Sequence, residues 1–224
     1  MKGTECEKPP GLAWKRCIDL TLAVAGLIVF SPMLGLIAVA LKLTSPGPVL
    51  FLQQRIGWHG RQFRVIKFRS MVHHAPYIRN PDGSAYSSDT DRRVTRLGRI
   101  LRRTSLDEMP QLWNVVRGEM SLVGPRPELA EGIRSYRPAD FRRLNVRPGM
   151  TGWAVVHGRN DVPISMRREL DTWYADHVGF ALDLKILGKT IALIMRSQGI
   201  NRARGPSQLS SEQGADVQQC SREN

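Results

Sequence analysis

The sequence predicts a mostly helical α/β protein that is attached to one face of a membrane and carries a small β-hairpin or sheet. The first observation behind this fold class is a segment from Leu22 to Leu41 that contains no charged residue. Second, two later segments repeat apolar residues at helical spacing, with basic residues on the remaining arc. Third, residues 49–51 and 63–68 have the short apolar and alternating patterns of strands. We therefore expect a monotopic protein with a re-entrant helix-break-helix, interfacial amphipathic helices and one hairpin.

The apolar segment is long enough to span a membrane, because about twenty helical residues at about 1.5 Å each cover a hydrocarbon core of roughly 30 Å. Ser31 and Pro32 stand at its midpoint, where proline removes a backbone hydrogen bond and clashes with the preceding turn. A bend there would return both ends of the segment to the same membrane face. Lys15, Arg16 and Lys42 flank the segment, so the positive-inside rule favours both ends in the cytoplasm.

Three other interpretations of the apolar segment have to be weighed. A cleaved signal peptide would need an A-x-A-like site before Lys42, which the sequence lacks. A buried helix of a soluble protein is disfavoured, because so long a helix that is apolar all round exceeds what a small core needs. A straight transmembrane helix stays open, because prolines are tolerated in membrane helices.

Two basic amphipathic helices are predicted further along the chain. The first runs from Val94 to Arg103, and its apolar residues are Val94, Leu97, Ile100 and Leu101. The second runs from Phe180 to Met195, and its apolar residues are Phe180, Leu184, Leu187, Ile191 and Ile194. Both patterns suit helices that lie on an anionic membrane surface. Nucleic-acid binding, solvation and, for the second helix, packing in the core are the alternatives.

Length and charge restrict the class of protein further. The 224 residues suit one domain with a small appendage, and we expect no second catalytic domain. A formal net charge of +13 predicts an anionic partner, which can be nucleic acid, an acidic membrane face or a phosphorylated substrate. The three cysteines, at positions 6, 17 and 220, have neither the number nor the spacing of a disulfide framework or a zinc site.

The segment from Leu101 to Pro127 combines two adjacent carboxylates, Asp107 and Glu108, with four arginines. Ser105 and Glu108 match the S-x-x-E capping box, and Pro110 suits a first helical position, so both acids are expected at a helix N-terminus. The helix dipole there favours an ionised carboxylate. Acidic residues in a first turn are often no more than dipole partners, and that interpretation stays open.

This combination of residues is suited to phosphate chemistry. An ionised Asp107 beside a divalent cation can attack a phosphorus atom, and Arg102 and Arg126 can hold phosphoryl oxygens in bidentate fashion. The prolines on either side of Arg126 fix two φ angles and would hold its side chain in a defined direction.

The sequence resembles the bacterial sugar transferase family, the monotopic polyprenyl-phosphate phosphoglycosyl transferases. The resemblance extends from about Trp14 to about Gly199 in the family's order. Its motifs besides Leu101–Pro127 are Lys15-Arg16 with Asp19, Ser31-Pro32, Gln54-Arg55-Ile56-Gly57, Lys67-Phe68-Arg69-Ser70-Met71, Val146–Trp153, Gly158-Arg159-Asn160 and Leu182-Asp183-Leu184-Lys185.

The resemblance implies an activity and a set of site residues. A sugar 1-phosphate would pass from a UDP-sugar to undecaprenyl or another polyprenyl phosphate, with release of UMP, through a phosphosugar carried covalently on Asp107. Glu108 would join Asp107 in binding Mg²⁺ or Mn²⁺ or would position the lipid phosphate. The implied phosphate and substrate contacts are Lys67, Arg102, Arg126, Arg159 and Asp183. Without the resemblance, Lys67 and Arg159 can as well be ordinary surface charges as site residues, and Asp183 can as well be a helix cap.

The expected partners are a nucleotide-sugar donor, a polyprenyl phosphate acceptor and an anionic membrane, with a homodimer and downstream glycosyltransferases as further candidates and no nucleic acid. The expected location is the bacterial inner membrane, with the catalytic domain on the cytoplasmic face. The expected divisions are an extension at 1–13, the re-entrant membrane helix at 14–43, the catalytic domain at 44–200 and a disordered tail at 201–224. The alternatives are a basic, single-span, membrane-tethered binding protein without catalysis, and a transferase that moves only the sugar and releases a nucleoside diphosphate.

Overall fold

A computed structural model of the protein describes residues 13–78, 86, 90–158 and 162–195. The predicted tail, nearly all of the predicted N-terminal extension and Arg159 lie outside these residues. The described chain is mostly helical, with two small two-stranded sheets and one long apolar helix at the N-terminal side.

Helix α1, Ala13–Thr44, is long and apolar enough to cross a membrane. Its helical structure continues through Ser31 and Pro32, so the predicted interruption of the helix is wrong at the level of secondary structure. The Ser31 hydroxyl replaces the backbone hydrogen bond that Pro32 removes. Pro32 cannot donate to the carbonyl of Ile28, and the Ser31 hydroxyl donates to that carbonyl instead, at 2.8 Å.

The N-terminal end of α1 is bound to the rest of the protein by polar contacts. Lys15 forms a buried ion pair with Asp183. Arg16 donates to the carbonyls of Val115 and Val116 at 2.6 and 2.9 Å, and the Asp19 carboxylate accepts from the backbone N–H of Leu122 at 3.0 Å. These bonds fix the first two turns of α1 to the folded domain.

The C-terminal end of α1 is bound to the same domain. Leu41 is buried against Phe68 and Leu101. The guanidinium of Arg69, at the end of the hairpin, donates to the carbonyl and the hydroxyl of Ser45 at 2.9 and 2.7 Å. Between the two ends lies an exposed apolar stretch in which Val29 is 69% exposed.

The predicted hairpin is confirmed. Strand β1, Leu50–Ile56, pairs antiparallel with β2, Gln62–Phe68, in a register that sets Leu50 opposite Phe68. The chain reverses at Gly60, whose φ of 75° favours glycine. Lys67 and Arg69 are thereby placed at the end of β2, beside the helices that follow.

A second, parallel sheet was not predicted. Strand β3, Ser121–Val123, pairs with β4, Gly149–Thr151. Because the strands are parallel, the turn after β3 and the turn after β4 lie at the same edge of the sheet. Each strand has only three residues, too few for a recognisable alternation along the sequence.

Five further helices complete the described structure. They are α2, Arg96–Thr104; α3, Gln111–Val116; α4, Trp153–Val156; α5, Ile164–Asp176; and α6, Phe180–Met195. Short 3₁₀ stretches occupy Leu106–Glu108, Ala130–Ser135 and Pro138–Asn145. Two of the three apolar core clusters contain residues of α1, so α1 is part of the core of the folded domain.

The predicted start of α6 at Phe180 is confirmed, and most of its predicted apolar face is exposed. Phe180, Leu184, Ile191 and Ile194 are exposed. Leu187 is partly buried against the core, and the buried residues of this helix are Asp183 and Ile186. An uncovered apolar face with lysines at its edge fits the interfacial alternative and disfavours the core alternative.

The ion pair between Lys15 and Asp183 predicts a stability effect at the start of α1. Lys15→Ala leaves the buried Asp183 carboxylate unpaired, and breaking a buried pair in this way costs about 3 to 5 kcal/mol. Denaturant unfolding in detergent would show this as a lower midpoint. Lys42→Ala removes an exposed lysine from the other end of the same helix and serves as the control. Equal midpoints for the two variants would contradict the role given to the ion pair.

Candidate active site

The two adjacent carboxylates lie on the 3₁₀ turn Leu106–Glu108, between α2 and α3. Pro110 directly precedes α3, one position earlier than predicted. The predicted capping box is wrong. Ser105 has a φ of 58°, which reverses the chain at the end of α2, and its side chain makes no capping bond. The Glu108 carboxylate instead faces cations from other segments.

Glu108 joins two cations that are distant in sequence. Its Oε1 accepts from the Lys67 ammonium at 2.6 Å and from the Arg126 guanidinium at 3.2 Å. Lys67 comes from the end of β2 and Arg126 from the turn after β3. The structure therefore brings together three of the residues that the resemblance implied, and the roles expected of them stay predictions.

Asp107 is buried beside this cluster. Burial, together with the neighbouring Glu108 charge, raises the pKa of its carboxyl to about 6. Lys67, Arg102 and Arg126 oppose the shift because their positive charges favour the ionised carboxylate. The carboxyl is thus ionised at neutral pH and close to its midpoint in mildly acidic solution.

Lys67 is subject to the same two opposing effects. Burial lowers the pKa of its ammonium, and Glu108 opposes that change. The ion pair with Glu108 is therefore what favours a charged lysine at this depth. A charged lysine with a carboxylate partner is suited to hold an anion that approaches the same place.

Arg102 reaches the site from the last turn of α2. Its Nε donates to the Ser70 hydroxyl at 2.8 Å, which fixes the guanidinium just beyond the end of β2. Burial lowers the pKa of Arg102, while Asp107 and Asp91 favour its charged form. Thr95 caps the start of this helix by accepting from the Gly98 N–H at 2.9 Å.

The turn that carries Arg126 begins in a tightly packed stretch of backbone. A Cβ added to Gly149 would lie 2.0 Å from the Gly124 nitrogen, and one added to Gly152 would lie 2.1 Å from the Gly124 oxygen. Only glycine permits this approach of the ends of β3 and β4. The Arg126 side chain remains 45% exposed, and the Glu108 charge raises the pKa of its guanidinium.

Arg55 belongs to this site and was given no role in the sequence analysis. Its guanidinium donates to the Pro127 carbonyl at 3.2 Å and to Gln53 Oε1 at 2.6 Å. Burial, together with the positive charge of Arg126, lowers the pKa of Arg55 to about 10. The motif from Gln54 to Gly57 was the available signal, but an arginine within a strand pattern does not reveal which turn it contacts.

Asp183 is held by contacts with α1 and α5. Its carboxylate is buried, pairs with Lys15 and lies 2.6 Å from the Tyr174 hydroxyl, at the junction of α1, α5 and α6. The substrate contact implied for Asp183 stays a prediction beside these contacts between helices. Asp171, a buried residue of α5, accepts from Arg143 at 2.5 Å.

The donor set of the site decides which cation it suits. Within the described ranges, no group of three or more histidine, cysteine, aspartate or glutamate side chains is placed to hold a metal ion. Asp107 and Glu108 are two adjacent oxygen donors. Mg²⁺ is commonly bound by one or two carboxylates together with water and substrate phosphates, so the pair fits an ion shared with a phosphorylated substrate.

Comparison with known proteins agrees with this chemistry. Two relatives are named for transfer to undecaprenyl phosphate. The UDP-N-acetylgalactosamine-undecaprenyl-phosphate N-acetylgalactosaminephosphotransferase of Aeromonas hydrophila is 42% identical over 193 residues, which cover 83% of this chain and 44% of that protein. The UDP-glucose:undecaprenyl-phosphate glucose-1-phosphate transferase of Escherichia coli strain K12 is 41% identical over 185 residues, which cover 79% of this chain and 39% of that protein. The chain thus spans less than half the length of these two relatives.

A third relative has nearly the same extent as this chain. The uncharacterized sugar transferase EpsL of Bacillus subtilis strain 168 is 40% identical over 188 residues, which cover 84% of this chain and 90% of that protein. The model of the bacterial sugar transferase family matches residues 11–197. That range contains the hairpin, the two carboxylates and the turn of Arg126, and the chain therefore belongs to the bacterial sugar transferase family and is a transferase.

Proposed function

We propose that this protein transfers a sugar 1-phosphate from a UDP-sugar to undecaprenyl phosphate, with release of UMP, in a first membrane step of surface glycan or exopolysaccharide synthesis. The observation that carries the proposal is the buried Asp107 beside Glu108, with Lys67 and Arg126 bonded to Glu108. The names of the Aeromonas hydrophila and Escherichia coli relatives support the acceptor and the kind of donor. An exopolysaccharide production protein of Rhizobium meliloti, 38% identical over 207 residues, supports the class of product.

In the first step, an oxygen of the ionised Asp107 carboxylate attacks the phosphorus that bears the sugar. A bond forms between Asp107 and that phosphorus, the bond to the oxygen of the UMP phosphate breaks, and UMP leaves with the electron pair. In the second step, an oxygen of the lipid phosphate attacks the same phosphorus and releases Asp107. Two steps avoid bringing two highly anionic substrates together at once.

The cations of the site lower the electrostatic cost of both steps. The positive charges of Lys67, Arg102 and Arg126 act on Asp107. The resemblance adds Arg159 as a further candidate to bind phosphate. A charge-assisted hydrogen bond of this kind contributes about 1.5 to 3 kcal/mol. Glu108 holds Lys67 and Arg126 near Asp107 before a substrate arrives. Asp107 and Glu108 would hold Mg²⁺ or Mn²⁺, which supplies neutralisation of phosphate charge when bound.

The contacts of α1 support a monotopic, re-entrant attachment. A straight helix of this length would extend about 48 Å, and crossing a bilayer would carry its two ends to opposite sides. Both ends of α1 are instead held by the same domain, because Lys15 binds Asp183 and Ser45, directly after the helix, binds Arg69. We infer that the exposed middle of α1 enters the membrane from the cytoplasmic face of the inner membrane and returns to it.

The proposed reaction predicts that Asp107→Asn abolishes UMP release. The native protein would be supplied with undecaprenyl phosphate, Mg²⁺ and a panel of UDP-sugars, and UMP would be measured for each donor. We expect lipid-dependent release with one or a few donors, and a loss of roughly 1,000-fold or more in the variant, because the nucleophile is removed.

Asp176→Asn is the matched control for this experiment, because Asp176 is an exposed carboxylate that pairs with Arg142 at 3.2 Å. Equal release by native protein and Asp107→Asn would exclude Asp107 as the nucleophile. Release of UDP in place of UMP would indicate transfer of the sugar alone. The absence of release with every donor would favour a membrane-tethered binding protein.

The raised pKa of Asp107 predicts that UMP release falls as the pH is lowered through about 6. The rate falls with decreasing pH because the protonated carboxyl is a poor nucleophile. The raised pKa means that this protonated form is populated up to a higher pH than in an ordinary aspartate. More Mg²⁺ should move the midpoint to lower pH, because a bound cation favours the ionised form. First-turnover UMP release at several pH values and two Mg²⁺ concentrations measures both effects, with circular dichroism as the control for unfolding. A midpoint that does not respond to Mg²⁺ would contradict a metal role for Asp107.

The proposed topology predicts a change when the serine and proline of α1 are replaced. Ser31→Ala with Pro32→Ala restores the missing backbone donor and should straighten the helix, so that the N-terminus moves across the membrane. With Cys6 kept as the sole cysteine, a membrane-impermeant thiol reagent applied from the periplasm should label the variant and spare the native protein. Labelling of the native N-terminus would contradict the monotopic attachment. A variant that stays unlabelled would show that Pro32 does not set the topology.

A further inference from the structure

The turn that presents Arg126 is held from its inner side by one buried arginine. Arg143, in the 3₁₀ stretch Pro138–Asn145, is 5% exposed. One of its terminal nitrogens donates to the Arg126 carbonyl at 2.8 Å and to Asp171 at 2.5 Å. The other donates to Glu128 at 2.6 Å and to the Tyr136 hydroxyl at 2.8 Å. A single guanidinium thus binds both the peptide of Arg126 and the residue two positions later.

The partners of Arg143 are themselves anchored. Glu128 also accepts from Arg168 of α5 at 2.7 Å, and its carbonyl accepts from the Ile56 N–H at 2.8 Å. Asp171 is a buried residue of α5. The network therefore ties the turn after β3 to α5 on one side and to the end of β1 on the other.

The Arg126 side chain depends on this anchoring for its direction. Its guanidinium is half exposed, and its bond to Glu108 is relatively long at 3.2 Å. A displacement of the backbone at Arg126 would move the guanidinium by at least as much. A misplacement of about 1 Å in a catalytic site can cost about 100-fold in rate.

We propose that Arg143 is a positioning residue for Arg126: it fixes the peptide of Arg126 so that the side chain meets Glu108 and the phosphates of the UDP-sugar. This role rests on the proposed function. It assigns Arg143 no contact with a substrate. It also accounts for an arginine at this position, because a lysine ammonium has no planar fork with which to donate to four groups at once.

The test is a double-mutant cycle read on UMP release. Arg143→Lys keeps the positive charge and loses the fork, and we expect it to lower kcat/KM for the UDP-sugar by roughly 10-fold to 100-fold. In the Arg126→Ala background, the same substitution should cost less than about threefold, because the group that it positions is already absent. Arg142→Lys is the matched control, since Arg142 is an exposed neighbour that pairs with Asp176, and it should leave the rate unchanged.

A milder variant covers the case in which Arg143→Lys does not fold. Tyr136→Phe removes one hydroxyl partner of Arg143 and keeps the ring. It should give a smaller loss that again nearly disappears in the Arg126→Ala background. Equal losses in the two backgrounds, for whichever variant folds, would overturn the positioning role while the native protein remains active. A native protein that releases no UMP would overturn the proposed function, and the positioning role with it.

Discussion

Two adjacent carboxylates at the edge of the protein interior are the constraint on which the site depends. Asp107 is buried, and the Glu108 charge beside it makes ionisation of Asp107 harder. An ionised pair at this depth requires nearby cations, and they come from three separate segments of the chain: Lys67 after β2, Arg102 in α2 and Arg126 after β3. The hairpin, α2 and the parallel sheet are therefore held in one arrangement by the same electrostatic requirement, since moving any one of them removes a compensating charge.

The membrane helix is part of the same arrangement. Its first turns bond to Asp183, to the last carbonyls of α3 and to the start of β3, while its last turn packs on Phe68 of β2. The segments that carry Arg126 and Lys67 thus rest on opposite ends of α1. Under the proposed attachment, the depth of α1 in the bilayer sets the depth of the catalytic cluster, and a lipid phosphate can reach it at the level of the headgroups.

The sequence supported predictions wherever a residue acts within its own segment. The hairpin and the start of α6 agree with the structure. The grouping of Lys67 and Arg126 with Glu108 also agrees, but it came from the resemblance, because these residues lie in different segments. Predictions failed where a distant partner decides the outcome. Ser105 and Glu108 have the spacing of a capping box, but Ser105 has a left-handed backbone and makes no capping bond. The Glu108 carboxylate pairs with two cations from other segments instead. Asp183 pairs with a lysine that lies 168 positions earlier, a contact that the sequence does not show. Arg143 had no local signal, because its four partners come from three other stretches of chain.

The protein uses buried ion pairs because much of its apolar surface lies outside the core. Large apolar side chains of α1 and α6 are exposed, and under the proposed attachment they face lipid and add nothing to the core. The clusters that remain inside are small, so apolar packing alone specifies the positions of the turns only weakly. Buried pairs such as Arg143 with Asp171 and Lys15 with Asp183 contribute little net stability compared with apolar residues in the same places. If one partner is misplaced, however, the other charge stays buried without a partner, which is strongly destabilising. A protein that places much of its apolar surface in a membrane therefore relies on buried charge pairs to fix the geometry of its turns. Here those pairs lie beside the turn of Arg126 and at the start of α1. These are positions that the proposed reaction needs to be fixed.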